Sequence, residues 1–147
     1  MSNIRFYHPI EVRYGDLDPQ GHLNNAMYLT YFEQARLWYL EELGLFSKDQ
    51  SFLEIGVIVA DTHIKYRAPV YVGTTVQVGV RTAAIGNKSL TLEQTIEDGT
   101  RGTLYADGTV ILVAYDYRTH QSTPVTEVWR RKIAEFERSV EHGSPKD

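Results

Sequence analysis

Between Ile4 and Tyr14, apolar side chains fall on alternate positions, at Ile4, Phe6, Ile10, Val12 and Tyr14, and this period of two predicts a β-strand. Pro9 interrupts it, and a residue without an N–H belongs on a sheet edge or in a bulge, so an edge or bulged strand is expected. The next stretch, GDLDPQGHLNN, is dense in Gly, Asp, Asn and Pro and reads as a structured loop ahead of a helix. From Ala26 to Leu43 neither glycine nor proline occurs, and Gly44 stands where a left-handed cap would end a helix. One long helix is expected there. Its apolar residues Tyr28, Leu29, Tyr31, Phe32, Ala35, Trp38, Tyr39, Leu40 and Leu43 cover far more than a single stripe. Something has to wrap around it.

The rest of the chain supplies the wrapping. Stretches at about 56–67, 74–84, 88–98 and 103–117 are rich in Val, Ile, Thr and Tyr and read as strands. Val76, Val78 and Val80 alternate with Gln77, Gly79 and Arg81, giving a sheet with one covered and one wetter face. Of two Asp-Gly pairs, Asp98-Gly99 is expected to turn a hairpin and Asp107-Gly108 to form a bulge inside a long strand. After Pro124, the segment VTEVWRRKIAEFERSVE has helical spacing at Val128, Ile133 or Lys132, and Phe136. It predicts a terminal helix with Arg130, Arg131 and Lys132 on its wet face. No repeat, linker or low-complexity segment divides the chain, and residues 1–147 suit one domain. The expected class is α+β, an antiparallel sheet curled around a long central helix, plus a C-terminal helix.

Composition narrows the function. Fifteen Lys and Arg against 19 Asp and Glu leave a formal charge of −4, which offers no long-range attraction to nucleic acid or to an anionic membrane surface. Cysteine is absent, so disulfides, thiolate metal sites and cysteine nucleophiles are excluded. Five histidines are scattered without metal-ligand spacing, and no metal or cofactor is expected. The N-terminal residues are too polar for a signal peptide, and no apolar run approaches the roughly 20 residues that span a bilayer, so a cytoplasmic location is expected. Nucleophile-elbow, Walker and dinucleotide fingerprints do not occur.

The run Asp-x-Asp-x-x-Gly-His-x-Asn-Asn within RYGDLDPQGHLNNAMYLTYFEQARLWYLEELG, residues 13 to 44, resembles the hotdog-fold thioesterases of the 4-hydroxybenzoyl-CoA and long-chain acyl-CoA type. Downstream, HIKYRAPVYVGTTVQV and VILVAYDYRTHQSTPV resemble the family's following strand pair and its last long strand. The resemblance implies the hotdog fold and hydrolysis of a fatty or aromatic acyl-CoA to free acid and CoA. It also implies assembly as a homodimer or homotetramer with the active site at the dimer interface. It places the catalytic aspartate on Asp18, leaves Asp16 a supporting loop residue, and assigns the oxyanion-binding backbone amide to Asn25. Gln20 departs from the asparagine of the similar plant acyl-carrier-protein thioesterases, and His22 is carried over only as a supporting residue.

Elementary chemistry reaches a compatible place. Thioester hydrolysis needs a nucleophile or general base on one side of the carbonyl and a positive dipole on the other. An aspartate a few residues before a helix, facing amides at the helix N-terminus, supplies both, and the helix dipole favours the ionised carboxylate. Direct attack by Asp18 and activation of water both remain open, as do bracing and substrate contact for His22. Tyr28 is a candidate for the acyl pocket, and Arg67, Lys88, Ser89 and Arg118 are candidates for the CoA phosphates. Two rivals stand beside hydrolysis: a hotdog dehydratase or hydratase using Asp18 and His22, and a non-catalytic acyl-CoA binding protein.

Overall fold

A computed structural model describes residues 3–137 and 140–142. Strand β1 (Phe6–Glu11) leads through a turn at Tyr14–Asp16 and the following loop into helix α1 (Asn25–Glu42). Strands β2 (Val57–Tyr66), β3 (Thr75–Ile85), β4 (Ser89–Asp98) and β5 (Leu104–Asp116) follow, then the short β6 (Gln121–Ser122), helix α2 (Glu127–Phe136) and β7 (Glu141–His142). The long strands pair antiparallel in the order β1-β3-β4-β5-β2, β6 pairs with β5, and β7 runs parallel to β3. This is the hotdog arrangement, with the sheet curled around α1.

Each boundary has a local cause. Asn24 caps α1, its side chain accepting from the Ala26 amide at 3.0 Å. At the other end Gly44 adopts φ 75°, and the Leu45 amide returns to the Leu40 carbonyl at 2.8 Å. The sheet-facing side of α1 buries Tyr28, Tyr31, Phe32, Ala35, Tyr39 and Leu40 against Val76, Val78, Val80, Leu90, Leu92 and Ile96. A fully buried side chain such as Phe32 contributes roughly 1.5–3 kcal/mol.

β1 is an edge strand with an unbroken register from Phe6↔Val80 to Glu11↔Thr75, so Pro9 is accommodated by the edge and not by a bulge. The Asp98-Gly99 hairpin forms with a longer loop in which Asp98 Oδ1 accepts from the Thr100 and Arg101 amides, both at 2.8 Å.

Three expectations are corrected. Asp107-Gly108 is not a bulge: Asp107 and Gly108 stay in register with both neighbours, and the bulges fall at Val59/Asp61, Thr82/Ala84 and Ile96/Glu97. Glycine is there because the backbone of β2 and, above it, α1 approach closely; a Cβ on Gly108 would stand 2.4 Å from the His63 carbonyl and 3.1 Å from the Phe32 ring. Arg130 does not sit on a wet face; it staples α2 to the β3–β4 turn by donating to the carbonyls of Gly86, Asn87 and Val125. Val128 is exposed, and α2 packs through Trp129, Ile133 and Phe136 instead. Of the C-terminal stretch expected to be helical, Glu127–Phe136 is helix, residues 138 and 139 lie outside the described residues, and Glu141 belongs to β7.

Candidate active site

The loop between β1 and α1 is folded on itself by Leu17 bridging Leu23 and by the Asp18 amide donating to the His22 carbonyl at 2.8 Å. Gly21, at φ 83°, makes the tight return. Asp16 fastens this loop to the helix. Its buried carboxylate accepts from the Tyr31 hydroxyl at 2.7 Å and from the Arg13 side chain at 3.1 Å, and its carbonyl accepts from the Asn24 amide. Burial opposes ionisation of Asp16, but the hydrogen bonds from Arg13 and Tyr31 outweigh it and hold the carboxyl below its usual range.

Asp18 is half-buried, and one of its oxygens is committed: Oδ1 accepts from the amides of Gln20 at 2.9 Å and His22 at 3.2 Å. Among the described residues Oδ2 has no hydrogen-bond partner. The side chain lines an open cleft of about 360 Å³ together with His22, Asn25, Tyr28, Tyr66 and Arg67. The Asn25 amide, first of α1, has no acceptor among the described residues, as the opening N–H groups of a helix require when no cap reaches them. Asp18, with one oxygen unbonded, and Asn25, with its amide unbonded, therefore line the same cleft among the described residues.

The far wall comes from β2 and the segment after it. Tyr66 donates from its hydroxyl to the Asn25 carbonyl at 3.2 Å, and its ring meets Tyr28 edge-on at 4.9 Å between centroids. Burial raises the Tyr28 hydroxyl pKa, and the charges of Tyr66 and Asp18 add to it, so Tyr28 stays a neutral donor beside the carboxylate. His22 bridges Tyr71 through the backbone and packs its ring edge-on at 5.1 Å. Arg67 is held bidentate by Asp107, at 3.0 and 3.2 Å, at the mouth of the cleft.

Asp18, His22, Asn25, Tyr28 and Arg67 thus meet in one place. Lys88 and Ser89 do not. Ser89 pairs with Val113, seven residues along β5 from the Ala106 opposite Tyr66, roughly 23 Å away at the rise of a strand. Lys88 there donates to Ser122 at 3.4 Å, and Arg118 pairs with Glu54 at 3.6 Å. Sequence reasoning missed Tyr66 and Asp107. The signal for Tyr66 was its place beside Arg67 in KYRAP, whereas Asp107 carried none, since its partner lies 40 residues away. Among the described residues no three His, Asp or Glu side chains gather as a metal site, and no helix is long and apolar enough to cross a membrane.

A sheet curled on one long helix, entered through a carboxylate-bearing loop, is the hotdog architecture. The chain belongs to the thioesterase-like superfamily, whose family model matches residues 12–133. It is 29% identical to the long-chain acyl-CoA thioesterase FadM of Escherichia coli over 127 residues, covering 86% of this chain and 96% of that one. Among solved structures it is similar to a thioesterase of Thermus thermophilus complexed with coenzyme A and zinc, with TM-score 0.79, 33% identity, and 92% and 96% of the two chains covered. A putative thioesterase of Pseudomonas aeruginosa matches with TM-score 0.76 and 32% identity over 86% of this chain and 96% of that one.

Proposed function

We propose that the protein hydrolyses the thioester of a fatty or aromatic acyl-CoA to free acid and CoA, with Asp18 as the reacting carboxylate and the Asn25 amide as the oxyanion donor. The reading is supported by the Asp18 carboxylate, whose Oδ1 is anchored by two loop amides while Oδ2 has no partner among the described residues, in a cleft that Asn25 also lines. A thioester carbonyl oxygen at Asn25 N–H places its carbon toward Oδ2, and the helix N-terminus stabilises the charge that builds on that oxygen. Two routes balance. Asp18 attacks the carbon and expels CoA thiolate, leaving a mixed anhydride that water then opens; or Asp18 takes a proton from water as the water attacks, and the tetrahedral intermediate then breaks its C–S bond, the CoA thiolate taking up that proton. His22, fixed by its amide to Asp18 and by its ring to Tyr71, braces the loop.

The substrate's long CoA arm asks for basic groups, and a second copy of the chain supplies them. Among the described residues strand β2 bonds only β5, leaving its other edge unpaired, with Ile58, Val59 and Tyr66 exposed. Antiparallel pairing of two β2 edges lays the Ile58 end of one chain against the Tyr66 end of the other. Lys88 of the partner subunit and Ser89 of the partner subunit then lie within about 15 Å of the Asp18 cleft, three strand spacings away. The proposed unit is accordingly a homodimer, or a homotetramer built from it, with Arg67 and the partner's Lys88 on the CoA phosphates. The proposed compartment is the cytoplasm, with which a cysteine-free chain is compatible. The test is thiol release from acyl-CoAs of increasing chain length and from an aromatic acyl-CoA; absence of release from all of them would refute the proposal.

A further inference from the structure

The first turn of α1 is bonded into the loop before it. The Asn24 amide donates to the Asp16 carbonyl at 2.8 Å, the Ala26 amide to Asn24 Oδ1 at 3.0 Å, and the Met27 amide to the Asn24 carbonyl at 2.9 Å. Of the amides from Asn24 to Met27, that of Asn25 alone has no acceptor among the described residues. Its neighbours on both sides are tied down, and its own carbonyl is the remaining point of support.

That support comes from a distant element. The Tyr66 hydroxyl donates to the Asn25 carbonyl at 3.2 Å, from a residue 41 positions along the chain. Tyr66 is rigidly mounted. It ends β2 in register with the buried Ala106, and the next two amides, of Arg67 and Ala68, both donate to the Tyr105 carbonyl, at 2.7 and 3.2 Å. Its ring meets the ring of Tyr28, itself buried, at an interplanar angle of 89°. Asn25 and Tyr28 are neighbours on the helix surface, so one tyrosine grips the opening turn twice, by hydroxyl and by ring. Both contacts lie within one chain and do not depend on a second copy pairing along β2.

Helix ends fray, because their outermost amides have no intrahelical partner. A donor to a developing oxyanion works only when it is held in place beforehand, and a displacement of about 1 Å can cost roughly 100-fold in rate. Resting on the thioesterase reading, we infer that Tyr66 is a positioning residue for the reaction, its hydroxyl holding Asn25 so that the unpaired amide keeps its place as the oxyanion donor.

Tyr66→Phe deletes the hydroxyl and keeps the ring, on a side chain that is half exposed, and an unchanged melting temperature checks that the fold is intact. With an acyl-CoA that the wild type hydrolyses, kcat is expected to fall about tenfold and KM to stay within about twofold, the pattern of an interaction used in the transition state. The loss is smaller than the roughly 100-fold that follows removal of an oxyanion donor itself. A second measurement reads the carbonyl without turnover. An acyl-CoA analogue with methylene in place of the thioester sulfur carries an isotope-labelled ketone, whose infrared stretch should move to lower frequency on binding the wild type and clearly less on binding Tyr66→Phe. An equal shift in the two proteins overturns the inference, whatever happens to kcat, and so does the absence of any shift in the wild type. Unchanged kcat with a raised KM would make Tyr66 a substrate contact and also overturns it. A ketone shift that Tyr66→Phe weakens, in a wild type that cleaves no thioester, would support the positioning role and sink the hydrolase reading separately.

Discussion

The Tyr31 hydroxyl donates a 2.7 Å hydrogen bond to Asp16 Oδ2, joining two buried side chains fifteen residues apart. Through it the second turn of α1 grips the loop that presents Asp18. Asp16 and Asp18 therefore differ within their shared motif: the first is bonded by Arg13 and Tyr31 and holds the loop, and the second lines the cleft with one oxygen free of partners among the described residues.

Asp18→Asn replaces the carboxylate with a near-isosteric amide whose carbonyl still accepts from the Gln20 and His22 amides. Turnover is expected to fall by a factor on the order of 100 or more, with the far-ultraviolet circular dichroism and melting temperature preserved. Near-normal turnover would remove Asp18 from the mechanism.

Tyr31→Phe leaves a buried carboxylate short of one donor, so a loss of about 1–3 kcal/mol in urea unfolding is expected. Turnover should fall with it, because the loop bearing Asp18 loses its tie to α1. Unchanged stability would show that Arg13 alone suffices.

The Asp16 carboxyl has a folded pKa below its unfolded value near 4, so the folded state binds this proton more weakly. Its contribution to stability is therefore full above pH 4 and is lost as pH falls through the lower, folded value. Melting temperatures of wild type and Asp16→Asn should differ at neutral pH and converge on acidification; a gap that is constant with pH would contradict this.

Lys88→Ala should raise KM for acyl-CoA several-fold with little change in kcat. If each site joins Asp18 of one chain to Lys88 of its partner, refolding Asp18→Asn and Lys88→Ala proteins together regenerates one intact site per mixed dimer. With about half the dimers mixed, activity at low substrate should approach roughly a quarter of wild type. Activity equal to the mean of the two parents would place both residues in the same chain's site and overturn the shared site.

Gly108→Ala puts a methyl group against the His63 carbonyl and the Phe32 ring. The β2–β5 pairing and the Phe32 ring must both shift to admit it, and a destabilisation on the order of 2 kcal/mol is expected from chemical denaturation.

How legible the protein was depends on how far apart the interacting groups stand along the chain. The period-two and period-3.6 patterns and Gly44 act within a few residues, and the elements they predicted are present, α1 and β2 to β5 close to their expected ends and β1 and α2 shorter than expected. The three residues singled out in the loop motif, Asp18, His22 and Asn25, line one cleft, since one short connection carries all three.

Contacts over longer separations left no such trace. Gly108 read as a bulge because the pattern along β5 does not reveal that Phe32 of α1 descends onto it. Arg130 read as a solvated charge because its acceptors are the Gly86 and Asn87 carbonyls, more than forty residues earlier. Local sequence, then, determined which segments are helix and strand and which loop bears the carboxylate, because hydrogen-bonding periodicity and capping are short-range effects. Tertiary structure alone decided that Tyr66 and Arg67 close the cleft and that Lys88 stands at the far end of the sheet. Those placements follow from strand order and register, which are settled by burying α1 and not by any residue's immediate neighbours.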